Sequence, residues 1–305
     1  MPGAKIIKAT VETVRKRSLP EGGFAMHNGG SFRPDATAWV VMALEAYERN
    51  RYLTNTACQR LAGSQLPDGR ITAVEGHPES YWPTSLALLA WKKVAGFEQQ
   101  VELATQFLLN TTGKYWPKRK DAAVAHDTSI KGWPWIEGTY SWIEPTALAI
   151  LALRSSGFNG HARVREAVRM ILDRQLTSGG WNYGNKIVFN KELRPIPENT
   201  GMALTALAGL VEKGQIRSSL DYLTNEVQKL RTPLSLAWSI FGVSAWSNQP
   251  ANLHDWIFES LDLQKKYGRY NTELLSQLLV AYFTDGDLIG FLTLKSRNAQ
   301  PGEAK

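Results

Sequence analysis

A threonine followed by an almost unbroken apolar run recurs along the chain, and it narrows the possible folds more than any other feature. It occurs in DATAWVVMAL (35 to 44), PTSLALLAW (83 to 91), PTALAILAL (145 to 153) and NTGMALTAL (199 to 207), each time with alanine six residues after the threonine. PLSLAWSIFGV (233 to 243) and NTELLSQLLVAY (271 to 282) are weaker relatives. A helix that is apolar all round must be packed on all sides, so each run is expected to be a buried helix. Between them stand one-sided patterns such as HARVREAVRMILDRQ, where Val164, Val168, Ile171 and Leu172 follow helical spacing with Arg and Glu opposite. Similar surface helices are expected in AKIIKATVETVRKR, EQQVELATQFLL and SSLDYLTNEVQKL.

Surface and buried helices therefore alternate about six times, and a buried helix can hide its far side only if the ring closes. No segment carries convincing strand alternation. The predicted fold is all-α, a closed (α/α)6 toroid of six inner and six outer helices. It is expected to form a single domain over 1–295, with 296–305 read as a disordered tail. Connections leaving a buried helix are short (ERNRYLTN, SSGFNG), whereas those leading into one are long, as in LPDGRITAVEGHPESYW and 113–144. The long loops then gather on one rim, where a site is expected.

Each surface helix is followed by a glycine, a spacer and a large apolar residue: Gly22 to Phe24, Gly69 to Ile71, Gly113 to Tyr115 and Gly179 to Trp181. In the first two repeats the apolar residue precedes the threonine by 13 positions. The glycine permits a tight exit, the apolar residue pins the loop to the next helix pair, and Gln175 is placed to bond backbone groups at the turn. This is read as a structural joint that repeat stacking requires.

The 43% hydrophobic content excludes a disordered chain. The formal charge of +7 is scattered, its densest cluster being KYWPKRK (114 to 120), so no basic stripe points to nucleic acid. A mildly basic face resting on an anionic membrane surface fits as well. With Cys58 alone there is neither a disulfide framework nor a cysteine-rich zinc site. Neither a signal-type apolar core nor a run of roughly 20 apolar residues is present. The expectation is a cytoplasmic protein, soluble or peripheral at a membrane, with no cofactor.

ILDRQLTSGGW resembles the Gln/Trp repeat of squalene and oxidosqualene cyclases, and SWIEPTALAILAL resembles the buried-helix segment of the same superfamily, which includes the protein prenyltransferase β subunits. The resemblance covers roughly residues 20 to 215. It implies an (α/α)6 barrel whose central cavity accommodates isoprenoid chains. Prenyltransferases of this kind hold zinc with Asp, Cys and His. Cys58 has no Asp-spacer-Cys partner, so zinc-dependent thioether formation is not expected. Triterpene cyclases protonate an alkene or epoxide with the central aspartate of Asp-x-Asp-Asp-Thr-Ala. In RPDATA, Asp35 takes that position, while Arg33 and Ala36 replace the other two carboxylates.

Asp35, Glu144 and Glu198 each stand two residues before a buried-helix threonine, where a carboxylate suits a helix amino terminus that also favours its ionised form. They are read either as equivalent helix-start residues or, for Asp35, as the catalytic acid of a reduced motif. An inward-pointing Arg33 would favour the anion. Aromatics crowd the rim: Trp133, Trp135, Tyr140 and Trp142 in the third long loop, with Trp39 and Trp82 at inner-helix starts, form the candidate substrate-binding set with Glu144 and Glu198. His126 with Asp127, and His77, are weaker acid/base candidates.

Three functions compete. The first is an isoprenoid enzyme, a small class II terpene cyclase-like protein. The second is a non-catalytic toroid binding a lipid chain, another apolar small molecule or a protein partner. The third is a glycan-binding or glycan-hydrolysing toroid using a carboxylate pair. A deep apolar tunnel ending at Asp35 would favour the first. A filled centre with an exposed aromatic patch would favour the second, and a polar groove with two facing acids the third.

Overall fold

The computed structural model describes residues 2–47, 51–118 and 125–294. The proposed tail, 296–305, and part of the 114–120 basic cluster lie outside the described residues. In chain order the helices are α1 (Pro2–Arg15), α2 (Pro34–Tyr47), α3 (Arg51–Gly63), α4 (Pro83–Trp91), α5 (Glu98–Asn110), α6 (Ile143–Ser155) and α7 (Ala162–Asp173). They continue with α8 (Pro197–Leu207), α9 (Arg217–Val227), α10 (Pro233–Ser244), α11 (Leu253–Asp262), α12 (Gln264–Tyr267), α13 (Thr272–Phe283) and α14 (Leu288–Thr293). A short antiparallel hairpin, β1 (Ile187–Val188) with β2 (Lys191–Glu192), decorates one loop. No helix among the described residues is long and apolar enough to cross a membrane.

The six apolar runs are α2, α4, α6, α8, α10 and α13, and each packs on the next until α13 returns to α2. The ring is closed. The outer layer is α1, α3, α5, α7, α9 and α11, and α1 seals the seam against α11 and α13. Ala43, Ala90, Ala152 and Ala206, six residues after their threonines, are all at most 1% exposed, because inner helices crowded by neighbours leave no volume for a larger side chain. Closest are α8 and α10, where a Cβ on Gly201 would meet the Trp238 carbonyl.

The joints explain the recurring threonine. The N–H of Phe24 donates to Thr37 Oγ1 (2.9 Å), that of Ile71 to Thr84 (2.9 Å), that of Trp133 to Thr146 (2.9 Å) and that of Trp181 to Thr200 (3.0 Å). Each hydroxyl satisfies a buried backbone donor that the tight loop would otherwise orphan. Gly69 and Gly179 have φ of +95° and +91° and press against the Leu103 and Ser218 carbonyls, an approach that any Cβ would block.

The third joint corrects the expected one. Tyr115 is half exposed, and Trp133, not Tyr115, is buried there, 13 residues before Thr146. The stretch 114–131 is spliced into the joint between Gly113 and Gly132, whose backbones are hydrogen-bonded (3.0 Å). Lys131 occupies the usual glycine position, and Arg163 covers the gap, stacking 3.9 Å from the Trp133 ring and donating to the Lys131 and Gly132 carbonyls. Gln65 bonds turn carbonyls as expected of such a glutamine, but Gln175 donates to Ser219 Oγ, which also receives the Gly180 N–H.

Long loops lead into α2, α4, α6 and α8, but those into α10 and α13 are short. All six inner helices start at the same end of the ring. At the opposite end α14 runs from α13 to the end of α4, where Lys93 Nζ donates to the carbonyls of Phe291 and Leu294.

Candidate functional site

The mouth is built from one repeated position. Asp35, Glu144, Glu198 and Glu273 are each the second residue of an inner helix (α2, α6, α8 and α13). Leu234 holds that place in α10, and Trp82, two residues before Thr84, serves at the start of α4. Asp35 lies opposite Glu198 across the ring, Glu144 opposite Glu273, and Trp82 opposite Leu234. At this end of the ring Trp82, Glu144, Glu198, Leu234 and Glu273 keep partly accessible surface, whereas the middles of the inner helices are buried. That exposure marks the opening.

One turn further along the same faces stand Trp39, Leu86, Leu148, Met202, Trp238 and Gln277, none more than 2% exposed. Trp39 and Trp238 meet edge to face at 5.8 Å although α2 and α10 are separated by α13. With all six of these side chains buried, no solvent-sized channel passes this level, and the mouth has a closed floor.

Burial pushes the Glu144 carboxyl up to about 8, reinforced by the charges of Glu273 and Glu198. Glu273 is raised to about 7 by burial and by Asp35, against the opposing effect of Arg33. Helix amino termini favour carboxylate anions, so the expected preference for the ionised form is outweighed at both positions. Like charges facing one another in a confined mouth titrate as a coupled set. Asp35 is 1% exposed and sits in the fork of Arg33, with Nε–Oδ1 at 3.0 Å and Nη2–Oδ2 at 2.5 Å. Both carboxylate oxygens are thereby taken up by one guanidinium. Glu198 accepts the Ser235 hydroxyl (2.7 Å), and Gln277 Nε2 donates to Glu273 (3.1 Å).

The aromatic candidates divide. Trp82 and Trp135 are half-buried and pack edge to face at 5.2 Å, forming a wall beside the mouth. Trp142 is half-buried just ahead of Glu144, and Tyr140 is half exposed against Trp116. Trp133 is 1% exposed and locked in the joint, its indole N–H on the Leu108 carbonyl, and so offers a ligand no surface. Trp39 belongs to the floor.

His126 and Asp127 do not act together: Asp127 accepts from Ser129, while burial near Arg174 pulls the His126 imidazole down to about 4. His77 is an exposed partner of Glu79. Cys58 is buried in α3 with its thiol pKa driven up by burial, and among the described residues no cluster of His, Cys, Asp and Glu could hold a metal ion. The sequence reading missed Glu273, because its helix places the acid after the threonine; counting from the capping Asn271, whose side chain accepts from the Leu274 N–H, locates it.

No protein-family model matches the chain, and no curated protein sequence does either. Solved structures do. The type II terpene cyclase MstE from Scytonema superposes with a TM-score of 0.58 at 15% identity, covering 88% of this chain and 80% of that one. A glycoside hydrolase family 76 mannosidase, Bt3792 from Bacteroides thetaiotaomicron, gives 0.59 at 10% identity over 94% and 98%. The GH76A α-1,6-mannanase of Salegentibacter sp. gives 0.59 at 12% identity over 93% and 98%. At these identities the likeness establishes the helical toroid fold, which the terpene cyclase and the mannosidases share, and leaves the chemistry to the site.

Proposed function

We propose that the mouth is an acid–base site acting on a carbohydrate, with Glu144 as proton donor and Glu198 as proton acceptor. The observation that carries this reading is a layer of mutually facing carboxylates, partly accessible, standing over a closed floor. A carboxylic acid held neutral near pH 7 beside a second carboxylate is the arrangement that protonates a glycosidic oxygen while its partner serves water or the sugar carbon. Burial, reinforced by Glu273 and Glu198, raises the pKa of Glu144 and so keeps its proton in place. Trp82 and Trp135 offer an apolar wall to the face of a sugar ring. The mannose-directed enzymes of the same fold make an α-1,6-linked mannoside the first substrate to try.

A second reading is favoured by the place of Asp35 in RPDATA and by the shared fold of a type II terpene cyclase: proton-initiated cyclisation of an isoprenoid chain lying in the mouth. Two features weigh against it. Asp35 is 1% exposed with both its oxygens held by Arg33, so an alkene has no access to it, and the closed floor leaves a long hydrocarbon no tunnel beneath the acids. Incubation with α-1,6-mannobiose, followed by assay of released mannose, tests the first reading. Parallel incubation with a geranylgeranyl-bearing aromatic, followed by chromatography for cyclised product, tests the second. Product from the prenyl compound alone, lost in Asp35→Asn, would replace the first reading with the second.

A further inference from the structure

The tip of the β1–β2 hairpin carries a side chain that the fold does not use. Val188 pairs with Lys191, which leaves Phe189 and Asn190 as the turn residues, with φ of +50° and +60°. A tight hairpin turn of this kind needs positive φ at both positions, and asparagine and glycine meet that need because they tolerate the left-handed region. Asn190 suits its place. Phe189 does not, since a bulky residue is strained there, and with 87% of its surface exposed it gains little from burial. A conformational cost with no packing gain points to a contact outside the folded chain.

The neighbours of Phe189 indicate the chemistry of that contact. Ile187 and Val188 are only partly covered, so an apolar run of three residues leads to the tip. Behind it the hairpin is basic. Lys191 and Arg194 are exposed and Lys186 is partly so, and the Leu193 N–H donates to the Lys186 carbonyl (2.7 Å), tying the two arms together at this level. Glu192, the one acid between 185 and 194, is engaged by Thr177, whose N–H and hydroxyl both donate to it.

An apolar tip on a basic stem matches the boundary of an anionic bilayer, where a ring can enter the acyl region while ammonium and guanidinium groups meet lipid phosphates. A neutral glycan makes no use of the charges. The hairpin stands in the loop that leads into α8, so it belongs to the rim of the mouth. Tyr183 at the start of that loop is half exposed and its carbonyl accepts the Ile143 N–H (2.9 Å), which places a second amphipathic ring on the same rim.

We propose that this hairpin docks the protein on an anionic lipid surface, with Phe189 entering the bilayer and Lys186, Lys191 and Arg194 pairing with headgroups. The proposal does not depend on what the mouth binds.

The test is co-sedimentation of the protein with vesicles of phosphatidylcholine alone and of an equal mixture of phosphatidylcholine and phosphatidylglycerol. Wild type is expected to bind the mixed vesicles at least about tenfold more tightly than the neutral ones, and added salt should weaken that binding. Phe189→Asn sets at the turn a residue that tolerates positive φ, so this variant should melt no lower than wild type while its affinity for mixed vesicles falls about tenfold or more. Phe189→Trp should retain binding. Lys191→Glu should lower affinity for mixed vesicles by at least about tenfold and leave the neutral ones unaffected. Equal binding to the two vesicle types, or undiminished affinity in Phe189→Asn, overturns the proposal. A melting temperature lowered in Phe189→Asn would show that the fold does use the ring, and would remove its premise. Wild type bound to neither vesicle would hand the hairpin to a protein or glycan partner and likewise overturn docking on lipid.

Discussion

The two ends of the ring are made from the same six helices and are put to opposite use. At the far end α14 reaches the end of α4: Leu288 and Leu292 join the core, and Lys93 is 7% exposed with its charge on the terminal carbonyls of α14. There a buried charge is answered at once by backbone oxygens and by the Phe291 ring at 4.4 Å. At the mouth four carboxylates crowd the amino termini, only Asp35 has a cation in its fork, and burial with mutual repulsion holds two of the others away from ionisation. Helix dipoles favour both arrangements equally. The difference is that one end neutralises its charges with partners and the other retains protons.

The contrast is tested first at the mouth. Glu144→Gln, with Glu198→Gln beside it, is expected to lower release of mannose from α-1,6-mannobiose by about 10²–10⁴, with the circular dichroism spectrum unchanged. A loss below about threefold would strip the acid layer of its catalytic role. Next comes the joint that supports it. Trp133→Ala should cost about 3–5 kcal/mol in urea unfolding, whereas Tyr115→Ala, at an exposed site, should stay within about 0.5 kcal/mol; equal costs would return the joint to Tyr115.

At the far end, Lys93→Met removes a charged donor from two carbonyls and should destabilise by about 1.5–3 kcal/mol while leaving ligand affinity at the mouth untouched. A change in affinity would mean that the two ends communicate. The pH dependence carries a sign of its own. Glu144 and Glu273 have folded pKa values raised to about 8 and about 7 above the ordinary 4.5, so the folded state binds more protons than the unfolded chain between those limits. Stability contributed by the neutral acids is full below about pH 4.5 and is lost as pH rises toward 8. Melting temperature should therefore decline across pH 5 to 8, and the double variant Glu144→Gln, Glu273→Gln should flatten that slope. A wild-type slope of opposite sign would show that these carboxyls ionise freely.

The helical layers were readable in the residues because burial on all sides leaves an unmistakable pattern: Leu86 to Trp91 and Ala147 to Leu153 contain no solvent-facing position, and both stretches are buried throughout. At the third joint spacing was a better guide than residue type. The interval of 13 identifies Trp133, whereas the glycine signature leads to Gly113, because Lys131 replaces the glycine and Arg163 on another helix fills its role. The alignment of Asp35, Glu144 and Glu198 was legible, since equivalent helix positions must fall on one level of a ring. Their protonation was not. A helix start predicts an anion, and the loss of solvent, with the charges of Glu273 and Glu198 brought up by the closed ring, reverses that preference at Glu144. The closed floor was equally hidden, because Trp39 and Trp238 are 199 positions apart in the chain and nothing local announces their contact.

The bond between Gly113 and Gly132 means that the third long loop departs from and returns to one point of the frame. A segment anchored in this way can be lengthened, shortened or exchanged while the helices beneath keep their register, since closure entropy grows slowly with loop size. The wall of the toroid is thus indifferent to how much chain stands between these two glycines.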